Sequence, residues 1–202
     1  MEVKRVNHYL DDRFNEEVLS QHGAFLIDNQ PYSVHIINGH TARVLGKEAN
    51  HFPALIEAFR FYAEHIDTFL DKNNQIIKQF QPVKLFYLEL DHIQPSQFYV
   101  DKDKLQAISS FIRKQTDIII PVTKMNKRWV SLDGHSRLAY AVENGFKTIQ
   151  VYETAADEGL EYFVKEAIAR DILSPYDLKV LTHDEYQVQW NQFCDDYFSS
   201  LN

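Results

Sequence analysis

The chain has 202 residues, 45% of them hydrophobic and 25% charged, which is the composition of a globular protein with one domain or a domain plus an annex. Its single cysteine, Cys194, excludes an internal disulfide framework and a thiolate metal cluster within one chain. The nine histidines show no zinc-binding spacing, and we expect neither zinc nor haem. No stretch is apolar for long enough to span a bilayer, and the N-terminus lacks a signal-peptide core, so we expect a cytoplasmic protein with no membrane partner.

The net charge of −8 is unevenly distributed along the chain. Residues 153–202 contain eleven acidic and three basic residues, whereas residues 1–152 contain eighteen of each. Between residues 101 and 137 the sign reverses, with eight basic residues against four aspartates. A local basic patch suits a small phosphorylated ligand, while the acidic balance of the whole chain disfavours tight binding to duplex DNA.

The first part of the chain predicts a hairpin followed by a helix. Residues 24–28 and 31–37 are β-rich runs around a short polar turn, which predicts a β-hairpin. Residues 38–43 (Asn-Gly-His-Thr-Ala-Arg) are interpreted mainly as a turn, with a second anion contact as the alternative. Residues 53–70 have an apolar stripe at helical spacing and a charged opposite face, so they predict the clearest helix. The segment 71–82 is expected to connect two lobes.

A second series of strands and helices follows, and then a helical tail. Strands are predicted at residues 85–90, 118–122, 128–132 and 148–152, with helices at 101–115, from 133 to 145 and in the amphipathic tail. Capping-box patterns at residues 174–177 and 182–185 each predict a helix start. We therefore divide the chain into an N-terminal hairpin-helix lobe at 1–82, a second domain at 83–153, and a helical C-terminal extension at 154–202. The extension is expected to pack on the second domain, with a partner-binding face as the alternative.

The most informative stretch is residues 128–142, which predicts a short strand, a glycine turn and the start of a helix. Gly134 permits backbone angles that other residues resist, and the apolar residues after it repeat at helical spacing. Gly134, His135, Ser136 and Arg137 are thereby placed at a helix N-terminus. Unpaired backbone N–H groups and the positive end of the helix dipole favour an anion there, so the stretch is a candidate phosphate site.

Each residue of this motif has a role in that interpretation. Gly134 lets the backbone approach a phosphate, and N–H groups near His135 and Ser136 donate to it. Arg137 supplies a two-pronged donor, and His135 adds a donor whose charge varies near neutral pH. Asp133 caps the helix, orients His135 or holds a Mg²⁺ that bridges phosphates. The alternatives are a plain turn at Asp133 and Gly134, a cap at Ser136, and pairing of Arg137 with an acidic residue of the tail.

An ordered set of motifs runs through residues 85–153: a strand followed by Ile-x-Pro-Ser, a helix, Ile-Ile-Pro-Val, a hairpin, then Asp-Gly-His-Ser-Arg leading into an alanine-containing helix that ends at glycine. This pattern resembles the ParB/sulfiredoxin superfamily. The resemblance implies an α+β fold with a ParB/sulfiredoxin-like mixed sheet, in a bacterial-type protein. It also implies binding of a nucleotide or phosphoryl group at the helix start, and it adds Ser96 to the phosphate-binding residues.

Three branches of this superfamily carry different residues in these motifs, and each can be compared with this chain. Sulfiredoxins carry a catalytic cysteine in the phosphate motif, where this chain has His135. Chromosome-partitioning ParB proteins have a Gly-Glu-Arg-Arg type motif and a DNA-binding region after it, where this chain has Gly-His-Ser-Arg and an acidic tail. The motif is more similar to that of the free serine kinases, which use a glutamate in the turn after the first strand as general base. That turn here holds Gln97, whose amide cannot accept a proton as a carboxylate does.

Three functions are therefore open on the sequence. The first is binding of a nucleotide or phosphorylated small molecule at residues 133–137, with a regulatory or partner-binding role. The second is an ATP- or ADP-dependent phosphotransferase acting on a small hydroxyl substrate, or a nucleotide hydrolase, with Asp133, His135 and Gln97 as candidate catalytic residues. The third is a ParB-like DNA-binding protein or nuclease. The expected ligands are ATP, ADP or CTP with Mg²⁺, and the N-terminal lobe is interpreted as a lid over the site or a homodimer surface.

Overall fold

The chain forms two units, which divide between Lys84 and Leu85, in a computed structural model that describes residues 2–156 and 158–201. Each unit combines strands with helices, so the predicted α+β class is confirmed. The division lies two residues after the boundary assigned from the sequence. No helix in the described part of the chain is both long enough and apolar enough to cross a bilayer.

The first unit is built on one six-stranded sheet whose strands lie in chain order. The strands are β1 (Val3–Arg5), β2 (Ala24–Ile27), β3 (Gln30–Ile36), β4 (Thr41–Leu45), β5 (Thr68–Leu70) and β6 (Ile76–Gln79), and the helices are α1 (Glu16–Ser20) and α2 (Phe52–Arg60). Strands β4 and β5 are parallel and joined through α2, while the other neighbours are antiparallel. One face of the sheet and α2 share a buried core that contains Phe25, Phe59 and Phe69.

The predicted hairpin is present as β2 and β3. Its turn residues, Asp28 and Asn29, have φ angles of 48° and 62°, as expected for a tight two-residue turn between twisted strands. The next turn also agrees with its interpretation, because the side-chain oxygen of Asn38 accepts hydrogen bonds from the backbone N–H groups of His40 and Thr41. Residues 38–43 therefore lead directly into β4.

The long helix predicted at residues 53–70 is wrong in its second half. Helix α2 ends at Arg60, whose guanidinium donates to the backbone carbonyls of Glu64 and Ile66 and holds the chain in a reversal. Residues Thr68–Leu70 then pair with β4 as a strand. The apolar spacing did not distinguish these outcomes, because Ile66 and Phe69 are buried in the observed structure as they would be on a helix. The expected connector at 71–82 contains β6, which belongs to the same sheet.

In the part of the chain that the structure describes, the second unit has a five-stranded mixed sheet, a separate strand pair and five α-helices. The strands are β7 (Leu85–Glu89), β8 (Ile93–Pro95), β9 (Tyr99–Asp101), β10 (Ile119–Met125), β11 (Arg128–Ser131), β12 (Thr148–Glu153) and β13 (Lys179–Leu181). The helices are α3 (Lys102–Ser109), α4 (His135–Glu143), α5 (Leu160–Ala169), α6 (His183–Tyr186) and α7 (Gln192–Ser200), with a π-helical segment, Gln187–Asn191, between α6 and α7. The order in the large sheet is β7-β12-β10-β11-β8. The helix predicted at residues 101–115 is shorter than expected, since α3 ends at Ser109.

The position of the candidate site follows from the pairing of β8 with β11. These strands are parallel, with Pro95 opposite Ser131, so their carboxyl ends lie at the same edge of the sheet. The turn after β8 and the start of α4 after β11 are therefore neighbours. Helix α4 is held in place by Leu138 and Ala141, which are fully buried in the core of this sheet.

The tail packs within the second unit, around the buried ring of Phe98. Trp190 and Phe193 contact this ring edge-on, and the guanidinium of Arg170 lies 4.4 Å from its centroid. The capping box at Thr182 makes both reciprocal hydrogen bonds with Glu185, and at Ser174 the carboxylate of Asp177 accepts from the backbone N–H and the hydroxyl of Ser174. Burial raises the pKa of the Cys194 thiol to about 11, which leaves it protonated and a poor nucleophile at neutral pH.

Candidate functional site

Helix α4 begins at Gly134, which has the left-handed φ angle of 78° and lacks a side chain to cap the helix. A Cβ atom at this position would lie 2.5 Å from Cδ1 of Ile120, so a larger residue would have to displace that buried side chain as well as adopt an unfavourable backbone angle. The helices α1 and α3 are capped by the side chains of Asn15 and Asp101, whereas α5, like α4, follows a left-handed glycine, Gly159, without a side-chain cap. The first turn of α4 therefore presents backbone N–H groups without an N-cap side chain as acceptor.

Two polar side chains follow His135 in that first turn. Ser136 is half-buried, and its hydroxyl has no hydrogen-bond partner in the described part of the chain. Arg137 donates from Nη1 to the backbone carbonyl of Ile119 at 2.8 Å, and its Nη2 lies 3.4 Å from Oδ2 of Asp133. The sequence allowed an acidic partner from the tail, but the acidic residue observed beside Arg137 is Asp133. These contacts hold the guanidinium next to the helix start.

His135 joins three segments of the second unit. Its Nε2 accepts a hydrogen bond from the backbone N–H of Ser96 at 3.2 Å and lies 3.1 Å from the hydroxyl of Ser131. The hydroxyl of Ser96 in turn donates to the backbone carbonyl of Ser131 at 2.7 Å. Because Nε2 is an acceptor in this network, the proton of the neutral ring is on Nδ1. The ring thus fastens the end of β8 and the end of β11 to the start of α4.

The charge state of His135 follows from its burial. Desolvation lowers the pKa of His135 to about 4, against a smaller opposing effect of Asp133 and a small reinforcing effect of Arg137. The ring is therefore neutral at physiological pH. The expectation that its charge varies near neutral pH is wrong, since a protonated ring would lose its acceptor and would be charged in a site with little water.

Gln97, the residue at the predicted general-base position, has a positioning role in this structure. Its Nε2 donates to the backbone carbonyl of Tyr99 and to the hydroxyl of Tyr186, the latter at 3.0 Å. Burial raises the pKa of Tyr186, which keeps the hydroxyl protonated. The contact with the Tyr99 carbonyl requires a donor on residue 97, which an amide supplies and an ionised carboxylate does not.

A second contact ties α6 to the same region. His183 Nδ1 lies 2.9 Å from Oδ2 of the buried Asp101, and the other oxygen of Asp101 accepts the backbone N–H of Asp103. Asp101, Asp103 and His183 have ligand atoms within 4.8 Å of one another, as do Glu89, Asp91 and His92 at an exposed position. Asp133 belongs to neither group among the described residues. Asp133 alone offers a Mg²⁺ one carboxylate among the described residues, so such an ion would take its other ligands from water and phosphate oxygens.

Sequence reasoning missed Tyr186, Asp101 and His183 as members of this region. His183 and Asp101 are 82 positions apart, and Tyr186 and Gln97 are 89 apart, so no local pattern relates them. The sequence feature that could have indicated their role is the capping box at Thr182. It places His183 and Tyr186 on the short helix that follows it. It does not show which strand that helix faces.

Comparisons with known proteins add little. No protein-family model matches the chain, and no curated protein matches it. One similar solved structure is the protein Atu1540 from Agrobacterium tumefaciens, with a TM-score of 0.36 and 17% sequence identity over 48% of this chain. The match spans 62% of that protein's chain, and at this level of similarity it supports no inference about fold or function.

Proposed function

We propose that the second unit is a ParB/sulfiredoxin-like domain that binds a nucleotide or a phosphorylated small molecule, with a phosphate at the start of α4, and that its role is regulatory. One observation carries the proposal: α4 follows a left-handed glycine without a side-chain cap, and its first turn adds the hydroxyl of Ser136 and the guanidinium of Arg137, whereas the similar start of α5 has Glu161. The N–H groups and the dipole of such a helix start favour an anion.

The residues of the first turn have distinct roles in this proposal. Backbone N–H groups of the first turn and the hydroxyl of Ser136 donate to the phosphate. Arg137, held by Ile119 and Asp133, adds positive charge beside it. Asp133 would supply one carboxylate ligand to a Mg²⁺, which would neutralise part of the phosphate charge. His135 and Ser96 position the turn through their mutual hydrogen bonds and are not themselves phosphate ligands by side chain.

The superfamily assignment is supported by the relative placement of two motifs. Parallel pairing of β8 with β11 brings the Ile-x-Pro-Ser turn beside Asp-Gly-His-Ser-Arg. Open sheets with parallel strands commonly bind ligands at the carboxyl ends of those strands. The proposal therefore locates the ligand at the edge of the sheet where Ser96 and Asp133 follow their strands.

Binding is favoured over phosphotransfer because of Gln97. A phosphotransferase of the free-serine-kinase type needs a carboxylate general base in this turn. The amide of Gln97 instead donates to two oxygen atoms, those of Tyr99 and Tyr186. We therefore propose a module that binds the nucleotide and transmits its presence, without transferring the phosphoryl group.

The test is calorimetric titration of the full chain with ADP, ATP and CTP, each with and without Mg²⁺. We expect saturable binding of at least one nucleotide, strengthened by Mg²⁺. Incubation of the chain with ATP and free serine is then expected to yield no phosphoserine. Absence of saturable heat with every nucleotide would overturn the proposal, and formation of phosphoserine would replace it with the phosphotransferase.

A further inference from the structure

The first unit contains a groove of about 380 Å³, bordered by the end of β4, the start of α2 and the hairpin of β5 and β6. Val44 and Ile56 are 0% and 2% exposed and form its apolar floor. Leu45 and Ile77 line its sides and are each 38% exposed. The volume and the apolar lining fall within the range of small-molecule sites.

The border of this groove is positively charged. Lys47, Lys72 and Lys78 line it, and neither Lys47 nor Lys72 has an acidic partner among the residues that the structure describes. Asp71 is the one acidic residue among the described lining residues. One oxygen of its carboxylate already accepts the backbone N–H groups of Asn73 and Gln75. The groove therefore has an excess of positive charge beside an apolar surface.

One side of the groove is rigid. A Cβ atom at Gly46 would lie 2.0 Å from the ring of Tyr32, so the backbone at Gly46 packs directly on that ring. The ring is buried, and its hydroxyl lies 2.8 Å from Nδ1 of His51. Packing of this kind maintains the shape of the groove before a ligand arrives, which reduces the entropy cost of binding.

We propose that this groove binds a small amphipathic anion, a molecule with an apolar body and a carboxylate or phosphate head. The apolar body would cover Val44, Ile56 and Ile77, while the head would lie between Lys47 and Lys72. A neutral apolar ligand leaves the lysines without a counter-charge, and a simple inorganic anion leaves the apolar walls in water. The proposal concerns the first unit alone and does not depend on the phosphate site.

Three probes of equal chain length test the proposal: decanoate and decyl phosphate, which distinguish the two head groups, and decanol, which has no charge. We expect saturable binding of at least one anion by calorimetry below its micelle concentration, and binding of decanol at least about tenfold weaker. The doubly charge-reversed variant Lys47→Glu/Lys72→Glu is expected to weaken anion binding by at least about tenfold. Lys4→Glu/Lys84→Glu, at two exposed lysines of the first unit outside the groove lining, reverses the same number of charges as the matched control and should leave binding unchanged.

The apolar wall has its own matched pair on β6. Ile77 lines the groove, whereas the neighbouring Ile76 is 61% exposed and is not among the lining residues. Ile77→Asp is expected to abolish binding and Ile76→Asp to preserve it, with far-UV circular dichroism checking that each variant folds. If Ile77→Asp fails to fold, the proposal is tested by the anion binding of the Lys47→Glu/Lys72→Glu variant alone. No saturable binding of either anion, equal binding of decanol, or equal losses in the control variants would overturn the proposal.

Discussion

At the scale of single residues, Gly134 and Gly145 form a natural pair. Both have left-handed φ angles, 78° and 70°, but only Gly134 has a close neighbour, because a Cβ atom at Gly145 would meet nothing within 4 Å. Gly145→Ala is therefore expected to destabilise the second unit by about 1–2 kcal/mol, the cost of the left-handed backbone alone. Gly134→Ala is expected to cost more, since its methyl group would contact Ile120.

The measurement is urea-induced unfolding of the two variants, followed by tryptophan fluorescence. Both tryptophans, Trp129 and Trp190, belong to the second unit, so this signal reports on that unit alone. Equal losses of unfolding free energy in the two variants would contradict the close approach of Gly134 to Ile120.

His135 predicts a loss of stability in acid. The unfolded chain binds a proton at this residue below pH 6.5, whereas the folded chain keeps the ring neutral until about pH 4. Stability is therefore lost as the pH falls from 6.5 through 4, by about 3 kcal/mol at 1.36 kcal/mol per pKa unit. Because other groups also titrate in this range, the relevant quantity is the difference between wild type and His135→Asn.

We expect His135→Asn to be less stable than wild type at neutral pH, with the gap narrowing as the pH falls to 4. The unfolding free energy of each protein, measured by tryptophan fluorescence at several pH values, provides the comparison. A gap that is constant across this range would mean that His135 is not buried in its neutral form.

At the scale of elements, α6 depends on an ion pair with the opposite pH response. The hydrogen bond to Asp101 raises the pKa of His183, so the folded chain retains the proton to a higher pH than the unfolded chain. The contribution of this ion pair to the stability of the fold is complete below pH 6.5. It is lost as the pH rises through the raised pKa of His183. About half of the His183 side chain is exposed, so solvent screens the pair and the effect is modest.

The variant that tests this pair is His183→Asn. Its stability deficit relative to wild type is expected to be largest just below pH 6.5 and to shrink at alkaline pH. In an Asp101→Asn background, which removes the partner carboxylate, the His183→Asn substitution should show no such trend. A deficit that grows with pH would contradict the assignment of the His183–Asp101 contact as an ion pair.

The elements predicted from the sequence are those in which apolar residues repeat several times at the spacing of a strand or a helix. The β2–β3 hairpin, β10, β12 and α4 are of this kind. The strands that were missed, β1, β5, β6, β8, β9 and β13, each have three or four residues, too few to show an alternation. They form because a neighbouring strand supplies their hydrogen bonds, which is a property of the folded chain and not of the segment.

Some features of the candidate site were likewise predictable from the sequence and others were not. Gly134 at the start of α4 and the turn at Ser96 were predicted, because their signals lie within a few residues. The neutral state of His135 was not predicted, since it depends on burial by segments distant in the chain. The contact of Gln97 with Tyr186 was missed for the same reason.

At the scale of the whole molecule, each unit has a buried core of its own, one around Phe25 and Phe59 and the other around Ile120 and Leu138. We expect two unfolding transitions, because such cores can be lost separately. A nucleotide at the start of α4 should shift only the transition seen by tryptophan fluorescence. At a hundredfold excess over Kd the shift corresponds to about 2.7 kcal/mol. Unfolding of the first unit is seen by circular dichroism but not by tryptophan fluorescence. A nucleotide that stabilised this transition and not the other would place its site in the first unit.

The central claim, that the start of α4 binds a phosphate, is tested most directly by Ser136→Glu. A carboxylate in the first turn complements the helix dipole, so the variant is expected to be more stable than wild type by about 0.3–1 kcal/mol. The same carboxylate occupies and repels the phosphate position, so nucleotide binding is expected to fall by at least about tenfold. Gln106→Glu, on the exposed face of α3, changes the charge equally and should leave binding intact.

The decisive measurement is therefore nucleotide titration of wild type, Ser136→Glu and Gln106→Glu, with the unfolding free energy determined for each. The account predicts that Ser136→Glu alone loses binding while its stability is maintained or increased. Undiminished binding by Ser136→Glu would contradict a phosphate at the start of α4.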